Sequence, residues 1–81
     1  MPLVQFTGAV RSAVGEAASL EIEATTIKEL LRKLVERHPK LQPHIDEGIA
    51  VSINGQIYRD QQQTEIPADA EVFLMPRVPG G

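Results

Sequence analysis

Residues 26–39 read Thr-Ile-Lys-Glu-Leu-Leu-Arg-Lys-Leu-Val-Glu-Arg-His-Pro, and they decide the fold. Thr26 and Glu29 are spaced as a capping box. The Thr26 hydroxyl can accept the Glu29 amide, and the Glu29 carboxylate can accept the Thr26 amide. Ile27, Leu30, Leu31, Leu34 and Val35 then recur at helical spacing and form a single apolar stripe. Lys28, Arg32, Lys33, Glu36 and Arg37 fall largely outside it. Pro39 biases His38 away from helical angles, so the helix should end there, with basic residues where its dipole favours them. A helix with one apolar stripe needs one apolar surface to lie on.

Strands on both sides of the helix supply that surface. Leu3 to Thr7 alternates weakly and reads as a first strand. Residues 9–15 form a connection with room for a helical turn. Ser19 to Ala24 alternates cleanly: Leu20, Ile22 and Ala24 point one way, and Ser19, Glu21 and Glu23 the other. After the helix, residues 39–48 read as an irregular connection with Leu41 and Ile45 as plugs. Ile49 to Ile53 is a third strand. Asn54-Gly55 is a strong hairpin signal, because a type I′ turn needs positive φ at both central residues. Gln56 to Asp60 is the returning strand. Residues 61–70 are polar, with Ile66 as an anchor, and Glu71 to Met75 is the last strand.

The expected fold class is therefore α+β: a mixed sheet of four or five strands with one main helix packed on one face. Val4, Phe6, Leu20, Ile22, Val51, Ile53, Val72 and Leu74 should face the helix stripe. By parity Phe73 and Met75 fall on the opposite face, and Ile57 can join them. Such a patch is a candidate docking surface, unless a loop from 8–18 or 61–70 folds over it.

Composition narrows the function. The chain has 81 residues, enough for one domain, and a net charge of −3 with no basic block. Nucleic acid is not an expected partner. No apolar run approaches a membrane span, and the N-terminus lacks the features of a signal peptide. Cysteine is absent, so there is no disulfide framework and no Cys nucleophile, which fits a cytoplasmic protein. His38 and His44 are not at metal-ligand helical spacing, and no metal site is expected. No catalytic arrangement of side chains is visible.

The chemistry is expected at the other end. The sequence closes on Pro76-Arg77-Val78-Pro79-Gly80-Gly81. Gly has no Cβ, so a Gly-Gly terminus can enter a narrow active site. Pro76 and Pro79 restrict φ and remove amide donors, which keeps an arm extended and discourages it from joining a sheet. Arg77 can pair with a partner carboxylate or simply remain solvated. Arg11 is equally open to a local ion pair or a partner contact.

With these features in place, the chain resembles the β-grasp, ubiquitin-like sulfur carriers: the small subunit of molybdopterin synthase and the thiamine-biosynthesis sulfur carrier. The resemblance spans essentially the whole chain. It is carried by Val10-Arg11…Gly15, the Thr26-x-x-Glu-Leu helix start, Asp46-Glu-Gly48, Val51-Ser-Ile-Asn54, Ala70-Glu71-Val72 and the Gly80-Gly81 end. Arg77 stands where the molybdopterin type usually has a second Pro. Pro79 replaces a small Ser, Thr or Ala, and Met75 replaces an aromatic residue.

The resemblance implies a β-grasp domain over 1–75 and a C-terminal tail over 76–81. It implies a carrier that is not itself an enzyme and binds no cofactor. An E1-like adenylating enzyme would use ATP to adenylate the Gly81 carboxylate. Sulfur from a donor would replace AMP, leaving a thiocarboxylate. A large synthase subunit, most simply that of molybdopterin synthase, or another acceptor would then take the sulfur. The patch that strand parity gives, Ile57, Phe73 and Met75, would be where such partners bind. The alternatives are a ubiquitin-like modifier conjugated through Gly81, or a carrier for thiamine, cysteine, tRNA thiolation or another sulfur-containing product.

Overall fold

The computed structural model of the chain describes residues 1–15, 19–59 and 61–76. Strands β1 (Leu3–Phe6), β2 (Ser19–Glu21), β3 (Ile49–Ile53), β4 (Gln56–Tyr58) and β5 (Glu71–Pro76) form one sheet. Their spatial order is β2-β1-β5-β3-β4. Every pairing is antiparallel except β1 with β5. The last strand is thus central, held between the first strand and β3. Helix α1 (Ala9–Ala13) follows β1, α2 (Ile27–Arg37) is the main helix, and α3 (Gln42–Glu47) follows a 3₁₀ turn at Pro39–Leu41.

The stripe of α2 makes the core. Ile27, Leu30, Leu31 and Leu34 are buried, and Val35 is half-buried against them. They join one cluster with Val4, Phe6, Val51, Ile53, Val72 and Leu74 from the sheet, Val10 from α1 and Val14 just after it. The expected strand faces are therefore correct. Leu20 only packs at the margin, because β2 is an edge strand.

The α2 start is close to expectation, with one change. The Thr26 hydroxyl accepts the Glu29 amide at 3.2 Å. The Glu29 carboxylate accepts the amide of Thr25, at 2.8 Å, rather than that of Thr26. Thr26 forms an isolated bridge with Glu65. Thr26 is extended along that bridge, and the amide that reaches the carboxylate is that of Thr25. At the other end, His38 leaves helical angles before Pro39, as Pro demands.

Several boundaries differ from the sequence reading: β1 ends at Phe6 rather than Thr7, and β4 at Tyr58 rather than Asp60. Residues 39–47 are a 3₁₀ turn and a short helix rather than an irregular connection. Pro39 and Pro43 occupy first-turn positions, where the missing amide costs nothing. β2 ends at Glu21 because its partner runs out: the Ile22 amide already bonds to Pro2, ahead of β1. β5 extends one residue further than expected, through Pro76.

The Asn54-Gly55 turn has φ of 49° and 91°, the positive values a type I′ hairpin needs. Asn54 also clips this turn to β5. Its amide donates to the Glu71 carbonyl at 2.9 Å, and its side-chain oxygen accepts the Glu71 amide at 2.9 Å.

Candidate functional site: an open sheet face beside the C-terminal segment

The helix covers one face of the sheet, and register defines the other. Ser52 of β3 lies opposite Ile57 of β4 and opposite Phe73 of β5. Phe73 also pairs with Gln5 of β1, which pairs with Ser19 of β2. Ile57, Ser52, Phe73, Gln5 and Ser19 therefore form one row across all five strands. A second row places Met75 opposite Ala50, and a third places Leu3 between Glu21 and Glu71.

This brings together the three residues expected to bind partners. Ile57 is 55% exposed, and Phe73 and Met75 are half-buried. Leu3, at 37% exposure, adds an apolar side chain that the sequence reading did not single out. The parity of buried Val4 and Phe6 was the available signal for it. Ser52 and Ala50 are buried despite lying on this face. They are small and sit among larger neighbours, so they form the floor of a shallow apolar surface.

Neither segment that could have covered the patch does so among the described residues. Val10 of α1 and Val14, its C-cap, are buried in the core. Residues 62–66 run along the α2 start, where Gln62 and Thr64 carbonyls accept the Lys28 and Ile27 amides at 2.8 and 3.1 Å. Ile66 is buried in the core on that side.

β5 carries the patch and leads directly to the C-terminal segment. Pro76, its last residue, is opposite Ile49. Arg77, Val78, Pro79, Gly80 and Gly81 lie outside the described residues. Arg11 is exposed, and the ion pair among the described residues is Arg32–Glu36, at 2.9 Å on the outer face of α2.

The rest of the described surface offers little chemistry. A groove between α2 and α3 is lined by Leu31, Val35, Ile45 and Gln42, with Arg32 and Glu36 at its rim. It contains neither histidine nor a hydroxyl nucleophile. Among the described residues no cluster of three or more His, Asp or Glu side chains could hold a metal ion. No helix among them is long and apolar enough to cross a membrane. Glu29 has a displaced pKa: the Thr25 amide holds its carboxyl below the usual value, with Lys33 and Arg32 adding to the shift and desolvation opposing it. It serves the helix start and faces away from the patch.

The fold is shared with several solved structures. Small archaeal modifier protein 1 from Methanosarcina acetivorans superposes with a TM-score of 0.81 at 24% identity, over 99% of this chain and 95% of that one. A chain of the complex of molybdopterin-converting factor subunits 1 and 2 from Helicobacter pylori gives 0.67 at 24% identity, over 99% and 97%. A chain of the Amycolatopsis orientalis BexX/CysO complex gives 0.75 at 19% identity, over 100% of both. Among curated proteins no sequence match was found. The sequence model of the ThiS family matches residues 4–81, which takes in the C-terminal segment and all of the sheet except Leu3. The fold is a β-grasp shared with these structures, and the chain belongs to the ThiS family.

Proposed function

We propose that this protein carries sulfur as a thiocarboxylate on Gly81. The observation that supports this most is a single strand. β5 bears Phe73 and Met75 on the open face and runs directly into the segment that ends in Gly80-Gly81. A partner gripping that face is thereby placed beside the terminus it must act on.

The chemistry follows from the terminus itself. An α-carboxylate has a pKa of about 3.5, so it is ionised at neutral pH and resists nucleophiles. Its oxygen must first attack the α-phosphorus of ATP, which releases pyrophosphate and leaves an acyl adenylate. Hydrosulfide, already released by a sulfur donor, then attacks the acyl carbon. AMP departs with the electron pair of the broken C–O bond, and the acyl group retains the sulfur. The adenylating enzyme binds the ATP. The five residues beyond the sheet, Arg77 to Gly81, can extend about 17 Å, enough to enter a deep site while the sheet docks outside.

The first-choice acceptor is the large subunit of molybdopterin synthase. The likeness to a chain of the Helicobacter pylori converting-factor complex supports that choice. The likeness to a modifier protein supports a different fate for the same adenylate, attack by a lysine amine.

Mass spectrometry of the protein isolated from cells tests the proposal. Expected is replacement of one oxygen by sulfur, located on Gly81 by fragmentation and so distinguished from oxidation of Met1 or Met75. Gly81 joined to lysine side chains, with no thiocarboxylate form, would make the protein a modifier. An unaltered terminus after activation by its adenylating enzyme and sulfur donor would refute both.

A further inference from the structure

The ladder between β1 and β5 stops at a defined place. The Thr7 amide donates to the Leu74 carbonyl at 3.0 Å. In a parallel ladder the next bond would run from the amide of residue 76 back to the Thr7 carbonyl. Residue 76 is proline and has no amide hydrogen. Its ring occupies the side on which that hydrogen would lie, facing the chain at Thr7-Gly8. There it meets Gly8. A Cβ built on Gly8 would stand 3.0 Å from Pro76 Cγ and 3.2 Å from Cδ. Gly8 also has φ of 60° and ψ of −144°, a conformation that turns the chain out of the sheet and into α1 and that suits glycine.

Proline at 76 and glycine at 8 are thus complementary. The ring removes the bond that would have zipped the strands further, and the missing side chain makes room for the ring. Each contact is to the root of the segment that carries Gly81. We infer that Gly8 is a positioning residue for the reacting terminus: by seating the Pro76 ring, whose missing amide ends the β1–β5 ladder at Leu74, it sets the backbone direction at the last described residue before the segment that carries Gly81. The inference rests on the sulfur-carrier role proposed above.

Three variants of the full chain test it: Gly8→Ala, Pro76→Ala and the double variant. Each is assayed for ATP–pyrophosphate exchange with the adenylating enzyme encoded in the same genome, with kcat and KM separated. Amide exchange is read by NMR. Pro76→Ala should fold normally, and its new amide should be protected by at least about tenfold through a bond to Thr7. Gly8→Ala should lower kcat about tenfold or more while KM stays within about threefold, because the docking face is untouched. With Pro76→Ala already present, Gly8→Ala should change kcat by less than about twofold, since the ring it would strike is gone. Its melting temperature should fall in both backgrounds, because the positive φ remains.

A kcat loss of equal size in both backgrounds would show that Gly8 acts through general strain, and would overturn the inference. An unaltered kcat with Pro76 in place would do the same. If Gly8→Ala fails to fold, rapid exchange of the new amide in Pro76→Ala still overturns it. A wild-type chain that is never adenylated would instead remove the carrier role, while the amide-exchange result would still decide whether the ring ends the ladder.

Discussion

Phe73 and Ser52 are directly opposed in the β3–β5 ladder on the sheet face away from the helix, yet Ser52 is only 6% exposed while Phe73 is half-buried. The aromatic ring and the neighbouring Ile57 wall in a small residue between them. An apolar surface built this way presents a shallow concavity with a raised rim, which suits a protein partner better than a small molecule.

Charging that rim should therefore separate binding from folding. Phe73→Asp is expected to weaken association with the adenylating enzyme by at least about tenfold, the scale on which a central aromatic contributes to an interface. The melting temperature should shift by only a few degrees. Titration calorimetry and thermal melts check both. Loss of the folded state would place Phe73 in the core and remove the docking role.

Leu34 of α2 is fully buried among Val4, Val72, Leu74 and Leu41 in one cluster. Leu34→Ala should destabilise the protein by about 2–5 kcal/mol, from lost transfer energy and the cavity left behind. Urea denaturation measures it. A loss below about 0.5 kcal/mol, the range of ordinary surface substitutions, would contradict the packing.

The α2 start should be acid-sensitive. The Glu29 carboxyl has its pKa lowered in the folded state, first by the Thr25 amide it accepts. A group with a depressed folded pKa adds stability above its unfolded pKa, and loses that contribution as pH falls through the folded value. Wild-type protein should thus melt higher than Glu29→Ala near neutral pH. The gap should narrow as pH drops below the ordinary carboxylate range. Melting curves of both proteins across acidic pH test this; a gap that widens in acid would reverse the assignment.

Much of this was legible in the sequence, and the physics says which parts. Helix α2 was readable because its stripe and cap are local signals, and the Asn54-Gly55 turn because few residue types accept two positive φ values. The alternation of Val72, Phe73, Leu74 and Met75 was enough to place two residues on each face. α3 was not readable, because Pro39 and Pro43 look like helix breakers until their first-turn positions are known. The fit between Gly8 and Pro76 was also hidden. It spans 68 positions of sequence, and it arises only because β1 and β5 lie side by side. The row through Ile57, Ser52 and Phe73 needed the strand order for the same reason.

The most direct test of the carrier role is activation of the terminus itself. Deleting Gly81 retracts the carboxylate by about 3.5 Å, and misplacement by even 1 Å can cost about a hundredfold in rate. Gly80→Val adds a branched side chain where an active site must close around the backbone. The core cluster of the described residues is built without them, so both variants should melt with the parent. ATP–pyrophosphate exchange with the cognate adenylating enzyme should be rapid for the full chain and nearly abolished for both variants. Exchange as fast with Gly81 deleted as with the full chain would show that the Gly81 carboxylate is not the group that reacts.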